Sequence, residues 1–291
     1  MWQAYEVPNS VEEALAILAR YDGRAQVIAG GTDLIIELQE GRHSVECLVD
    51  VTRIPGLDSI EERNGTIVLG ANVTFRQIKE SPLLHDKARV LAEAAGTVGA
   101  LQIQTVATLA GNLVSALPAA DGSVALRALD AEVEVAGQGG RAWRPVAELF
   151  LAPGKSAVDP SREMITAIRF AALGARQGSA WERLGRRRAL VLPILNCGAS
   201  LALEGDDRIA WARLSLGPVA PVPYRACQAE AFLAGQPAGE EAFARAAEIA
   251  AGECQPRTSL LRASREYRLE VLPVLVRRGL VRAAEQARAR A

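Results

Sequence analysis

Two short stretches carry residue types able to hold a phosphate-containing ligand. In the first, Ala29-Gly30-Gly31-Thr32-Asp33, two consecutive glycines follow an apolar run that includes Val27 and Ile28, and precede a helix-like segment that opens at Leu34. Glycine reaches backbone angles closed to other residues and lets peptide N–H groups approach a phosphate, and a following helix adds its positive dipole end. The spacing is not G-x-G-x-x-G, and a paired-glycine turn after a strand is also an ordinary structural device. Asp33 cannot favour a phosphate by charge, so it suits either a helix cap or a ligand hydroxyl. In the second stretch, Thr108-Leu109-Ala110-Gly111-Asn112, small and hydroxyl residues again surround a glycine, and Asn112 can both donate and accept hydrogen bonds. Asp121 follows after Pro118-Ala119-Ala120. A carboxylate so placed makes charge-assisted bonds to ribose or ribityl hydroxyls, its plainer alternative being a helix cap.

Other chemistries find little support. The histidines are His43 and His85, and neither sits in a triad-like or metal-like context. Cys47, Cys197, Cys227 and Cys254 lie far apart with no CxxC pair, so spacing argues for buried free thiols rather than zinc or iron-sulfur ligands. No catalytic residue and no metal ligand is assigned. With 33 basic and 34 acidic residues the formal net charge is -1, which gives no general attraction to nucleic acid or to an anionic membrane.

The elements that must position the two stretches follow from periodicity. Ser10 precedes VEEALAILARY, whose apolar residues recur at helical spacing, with Glu13 completing a capping box. Ala25 to Ala29 reads as a strand and LIIELQEG as a helix ended by glycine. CLVDV and TIVLGANVT, with an Asn64-Gly65 turn before the latter, read as strands. Phe75 to Ser81, His85 to Val98 and Ser123 to Leu129 read as helices. AEVEVAG and EMITAIRF are strand-like, the former ending in a turn at Gly139-Gly140, and Gly174 to Gly178 is the best candidate for a domain boundary. The last third holds CGASLALEG, the alternating RIAWARLSLGPV, a helix near Glu240 to Ala251, and a terminal helical segment that Pro273 should kink or divide.

A length of 291 residues, 49% hydrophobic and 23% charged, fits an ordinary folded α+β protein of more than one lobe. No run approaches the roughly eighteen uninterrupted apolar residues of a membrane span. The amino terminus has acidic residues where a signal peptide would carry positive charge, so the expected location is cytoplasmic.

The pair AGGTDL and ATLAGNLVSALPAAD, at this spacing, resembles the FAD-binding medium subunit of molybdenum hydroxylases, the group that includes carbon monoxide dehydrogenase and xanthine dehydrogenase. YEVPNSVEEAL, LFLAPGKSAV followed by EMITAIRF, WERLGRRRAL, GPVAPVPYRA and SREYRLEVLPVLVRRGL extend the resemblance over nearly the whole chain. It implies a fold of the vanillyl-alcohol oxidase (PCMH) type: an FAD-binding domain over residues 1–176, with subdomains of about 1–55 and 56–176, and a C-terminal α+β domain over 177–291. It implies FAD contacts from Val27, Ile28, Ala29, Gly30, Gly31, Thr32, Asp33 and Leu34 around the pyrophosphate. A second clamp from Thr108, Leu109, Ala110, Gly111 and Asn112 is implied too, with Asp121 on a sugar or ribityl hydroxyl and Val98 and Ile165 packing on the cofactor.

Partners are implied as well: a large subunit carrying a molybdenum cofactor and a small subunit carrying two [2Fe-2S] clusters, assembled as a dimer of heterotrimers. The chain would pass electrons from those clusters through FAD to an external acceptor, with substrate oxidised on the large subunit. A self-sufficient flavin oxidoreductase and a scaffold that has lost FAD are the rival readings. The departures matter here. Relatives commonly read TxGGN, where Ala110 replaces the first glycine, a cost if that position needs a positive φ. They often have QIRN where this chain has Gln102 to Thr105, which removes a cation. A lysine frequent near WERLGRR is here Glu182 or Arg183, to which no role is carried. The cysteine-rich loop of some relatives is absent, since no cysteine lies between Cys47 and Cys197.

Overall fold

The computed structural model describes residues 2–291, which form two compact units drawn from interleaved stretches of chain. The first unit takes the stretch up to Gln77 together with Leu101–Ala116 and Ala131–Ala171; the second takes Ile78–Ala100, Leu117–Asp130 and Ala172–Ala291. Sequence order and packing therefore diverge: two stretches from the middle of the chain pack with the C-terminal third.

The first helix of the first unit is Val11–Tyr21. Ser10 Oγ accepts from Glu13 N at 3.0 Å, and the Glu13 carboxylate accepts from Asn9 N at 2.7 Å. This is close to the capping box expected from the sequence, with the reciprocal bond made to Asn9, one residue before the cap; Ser10 satisfies a peptide donor that the first helical turn leaves unpaired. The helix buries Val11, Ala14, Ile17 and Leu18. A three-stranded parallel sheet has Cys47–Asp50 at its centre between Ala4–Glu6 and Ala25–Ile28. The central strand is covered on both faces, which is why it reads as a continuous apolar run. A second, antiparallel sheet runs Ile60–Arg63, Thr66–Gly70, Met164–Ala171, Glu132–Gly137, Gly140–Pro145. Its first hairpin turns at Asn64 and Gly65, both at positive φ as a two-residue primed turn demands.

The second unit is built on a four-stranded antiparallel sheet, Gln177–Leu184, Leu195–Glu204, Arg208–Gly217 and Tyr224–Arg225. The helix Arg265–Ala289 lies on its first two strands, with Glu240–Glu253 beside it. Their common core includes Leu201, Leu214, Leu216, Phe243, Leu272, Val276 and Leu280. Pro82–Lys87, Arg89–Ala95 and Asp121–Ala128 complete the unit.

Three local expectations are corrected. The helix expected over His85 to Val98 is two, because Ala88, fully buried, leaves the helical region at φ -156° and ψ 52°. Of the kink or division expected at Pro273, division does not occur: one helix continues through it from Arg265 to Ala289. One forfeited hydrogen bond is outweighed by the apolar face, Leu272 to Ala287, that the helix buries. Of the four cysteines, Cys47, Cys197 and Cys254 are buried free thiols but Cys227 is exposed. Among the described residues no helix is long and apolar enough to cross a membrane.

Candidate FAD site

The first glycine stretch joins the strand Ala25–Ile28 to the short helix Leu34–Gln39. Its two glycines are required for different reasons. Gly31 has φ +64°, a left-handed conformation that costs an L-residue roughly 1–2 kcal/mol. Gly30 has no unusual φ, but a Cβ there would lie 2.0 Å from the carbonyl oxygen of Val106. The main chain at Gly30 thus crosses directly against the end of the helix Leu101–Val106. After the crossing, the peptide N–H groups of Gly30, Gly31, Thr32, Asp33 and Leu34 have no acceptor among the described residues. The chain resumes internal bonding when Ile35 N donates to Gly31 O at 3.0 Å. A run of unspent, partly exposed amide donors is the structural requirement for holding an anion such as a pyrophosphate. On this count the residues present fit FAD.

Asp33 does not cap its helix. It makes no side-chain cap bond and instead accepts from Ser115 Oγ at 2.8 Å, which ties the first stretch to the second. The second stretch is the start of a helix, Leu109–Val114, capped by Thr108, whose Oγ1 accepts from Gly111 N at 3.1 Å. Leu109 N donates to Val73 O and Asn112 N to Thr108 O, each at 3.1 Å. Most peptide donors of this stretch are therefore spent inside the protein, in contrast with the first. Ala110 is helical and buried, and is not among the positive-φ residues. The steric cost attached to alanine at that position does not arise. Gln104, on the preceding helix, is buried.

Ile165 is buried on the strand Met164–Ala171, opposite Val135 and beside a register shift in that ladder. Val98 and Asp121 belong to the second unit. Val98 is half-buried just beyond the helix Arg89–Ala95. Asp121 stands at the start of the helix Asp121–Ala128, 6% exposed. Asn196 Nδ2 donates to its Oδ1 at 2.7 Å, and Arg183 Nε lies 3.3 Å from its Oδ2. Burial outweighs the Arg183 charge and the hydrogen bonds from Asn196 and Thr97, and pushes the carboxyl up to about 6.

Sequence reasoning passed over Ser115, Val106 and Asn196, and named Arg183 without giving it a role. Only Ser115 had a local signal, as a hydroxyl three residues past Asn112; the others act through contacts formed across long separations in the chain. Glu182 pairs with Arg282 at 2.8 Å, so of the two candidates near WERLGRR it is Arg183 that faces Asp121.

Residues 2–171 match the FAD-binding domain of molybdopterin dehydrogenases, and residues 180–283 match the C-terminal domain of CO dehydrogenase flavoprotein. The chain belongs to this family of FAD-binding oxidoreductase subunits of molybdenum hydroxylases. Similar proteins include the nicotinate dehydrogenase FAD-subunit of Eubacterium barkeri, 30% identical over 79% of both chains. The carbon monoxide dehydrogenase medium chain of Hydrogenophaga pseudoflava is 28% identical over 95% of both. A solved structure of carbon monoxide dehydrogenase from that organism superposes with a TM-score of 0.92 at 29% identity, covering 98% of each chain.

Proposed function

We propose that this chain is the electron-transfer subunit of a heteromeric molybdenum hydroxylase, taking electrons from [2Fe-2S] clusters on a small partner subunit and passing them to an external acceptor. A large partner would carry the molybdenum cofactor and oxidise the organic substrate, in a dimer of heterotrimers located in the cytoplasm. The observation that carries the reading is the run of unspent amide donors from Gly30 to Leu34 within a sequence that matches an FAD-binding domain.

FAD, when bound, supplies the redox chemistry, and the protein supplies binding, orientation and electrostatics. Val27 to Leu34 would hold the pyrophosphate and adjoining parts of FAD, the backbone N–H groups being those of Gly30 to Leu34. Thr108 to Asn112, whose amides are largely committed, would contribute close backbone approach and the Asn112 side chain as the second clamp. Asp121 would accept from a sugar or ribityl hydroxyl while the protein's own donors hold its carboxylate in place. Val98 and Ile165 would pack against the cofactor. In this reading residues 1–176 form the FAD-binding domain and 177–291 the C-terminal domain. No side chain is assigned as nucleophile or general base. The helical, unstrained backbone at Ala110 removes one motive for the scaffold without FAD.

The test is purification with native partners. A flavin absorption spectrum, with stoichiometric molybdenum and iron in accompanying subunits, is the expected result. A chain isolated without FAD and without such subunits would sink the reading, and turnover of an organic substrate by the chain alone would favour a self-sufficient flavin enzyme.

A further inference from the structure

In the second unit about half of the arginines have carboxylate partners, among them Arg225 with Asp130 and with Glu230, Arg282 with Glu93 and with Glu182, and Arg288 with Asp207. Around the start of the last helix, three that lack one, Arg257, Arg262 and Arg268, lie close enough to act on one another as like charges. Arg268 is 2% exposed, donates through one terminal nitrogen to Pro218 O at 2.9 Å, and leaves its Nε buried without a partner. It forms no ion pair among the described residues, and its charged neighbours are Arg257 and Arg262, also without carboxylate partners. Burial together with these like charges lowers the affinity of the Arg268 guanidinium for its proton. An unneutralised buried cation flanked by cations is costly and is relieved by an incoming anion.

The same segment bears Leu260 and Leu261, 99% and 81% exposed, at the tip of a turn closed by Ser259 N donating to Ala263 O at 2.9 Å. Arg186 holds this tip by donating to Leu261 O at 3.0 Å. Two adjacent leucines presented to water beside unpaired arginines combine an apolar anchor with an electrostatic rim, the make-up of a protein docking site.

We propose that the segment 255–263 docks a partner subunit, Leu260 and Leu261 entering an apolar pocket whose rim carboxylates neutralise Arg257 and Arg262. Charge complementarity selects this occupant, because a small free anion would leave the two leucines in water. The proposal rests on the reading of the chain as one subunit of a complex. The loop that carries Arg186 is itself anchored further on, where Leu190 N–H donates to Gly99 O at 2.9 Å.

The experiment uses the full complex. Leu260→Asp/Leu261→Asp and Arg257→Glu/Arg262→Glu chains are titrated against the remaining subunits of the purified wild-type complex, with FAD absorbance and melting temperature confirming that each chain is folded. Each pair is expected to weaken association at least about thirtyfold. Raising salt should weaken the wild type and the leucine pair but strengthen association of the arginine pair, whose new glutamates meet the rim carboxylates as like charges that salt screens. Unchanged association of both folded variants overturns the proposal while leaving the function reading intact, because the wild-type chain still assembles. A wild-type chain that joins no subunit overturns both. Two further outcomes overturn docking alone: inorganic phosphate stabilising the chain through Arg257 and Arg262 while assembly is indifferent to them, or self-association of the isolated chain abolished by the leucine pair.

Discussion

At the scale of residues, the glycine pair carries the sharpest consequence. Gly30 faces a backbone carbonyl, not the far end of a movable side chain, so nothing near it can give way cheaply. Gly30→Ala is expected to destabilise the chain by at least about 3 kcal/mol and to abolish FAD retention, measured by urea unfolding and by flavin absorbance after gel filtration. Gly31→Ala should cost less, about 1–2 kcal/mol, since the penalty there is chiefly conformational and the isoleucine side chains it would meet can shift. Asp121 gives a pH dependence with a definite sign. Its carboxyl titrates at about 6 in the folded chain, against 3.8 ordinarily, so the folded state binds the extra proton between those values. Its contribution to stability is full below about 4, falls as pH rises toward about 6, and is level above that. Asp121→Asn should flatten this slope in urea midpoints measured across the window.

Among elements, helix and strand starts were legible where a local device sets them. Ser10 with Glu13 defined the first helix to the residue, and Asn64-Gly65 defined a hairpin. The break at Ala88 and the passage through Pro273 were not legible, since neither depends on local preference: both follow from what the segment packs against. The sheet of the second unit makes this explicit at Gly178, where a Cβ would lie 2.1 Å from Ala283 O and 2.6 Å from Ala287 N. The strand Gln177–Leu184 meets the backbone of the terminal helix there. Gly178→Ala should lift that helix from the sheet, lowering the melting temperature by several degrees and raising amide exchange over Leu280 to Ala287. Exchange rates equal to those of the wild type would refute the close contact.

For the whole molecule, ligand linkage offers the most direct measurement. A chain that binds FAD only when folded gains stability by mass action, about 2.7 kcal/mol at a hundredfold excess over the dissociation constant. Thermal unfolding of stripped chain with and without FAD should show this as a clear rise in midpoint. An unmoved midpoint would count against the assigned contacts from Val27 to Leu34. The sequence by itself determined the α+β character, the capped helices and the two glycine-containing stretches, because each is written in spacings of a few residues. Tertiary structure decided how unequal those stretches are. Only the folded chain brings Val106 under Gly30 and Ser115 onto Asp33, leaving five amides of the first stretch unspent while the second spends most of its own. Hydrogen-bond accounting of that kind depends on partners far away in sequence, and spacing along one chain does not encode which of them will meet.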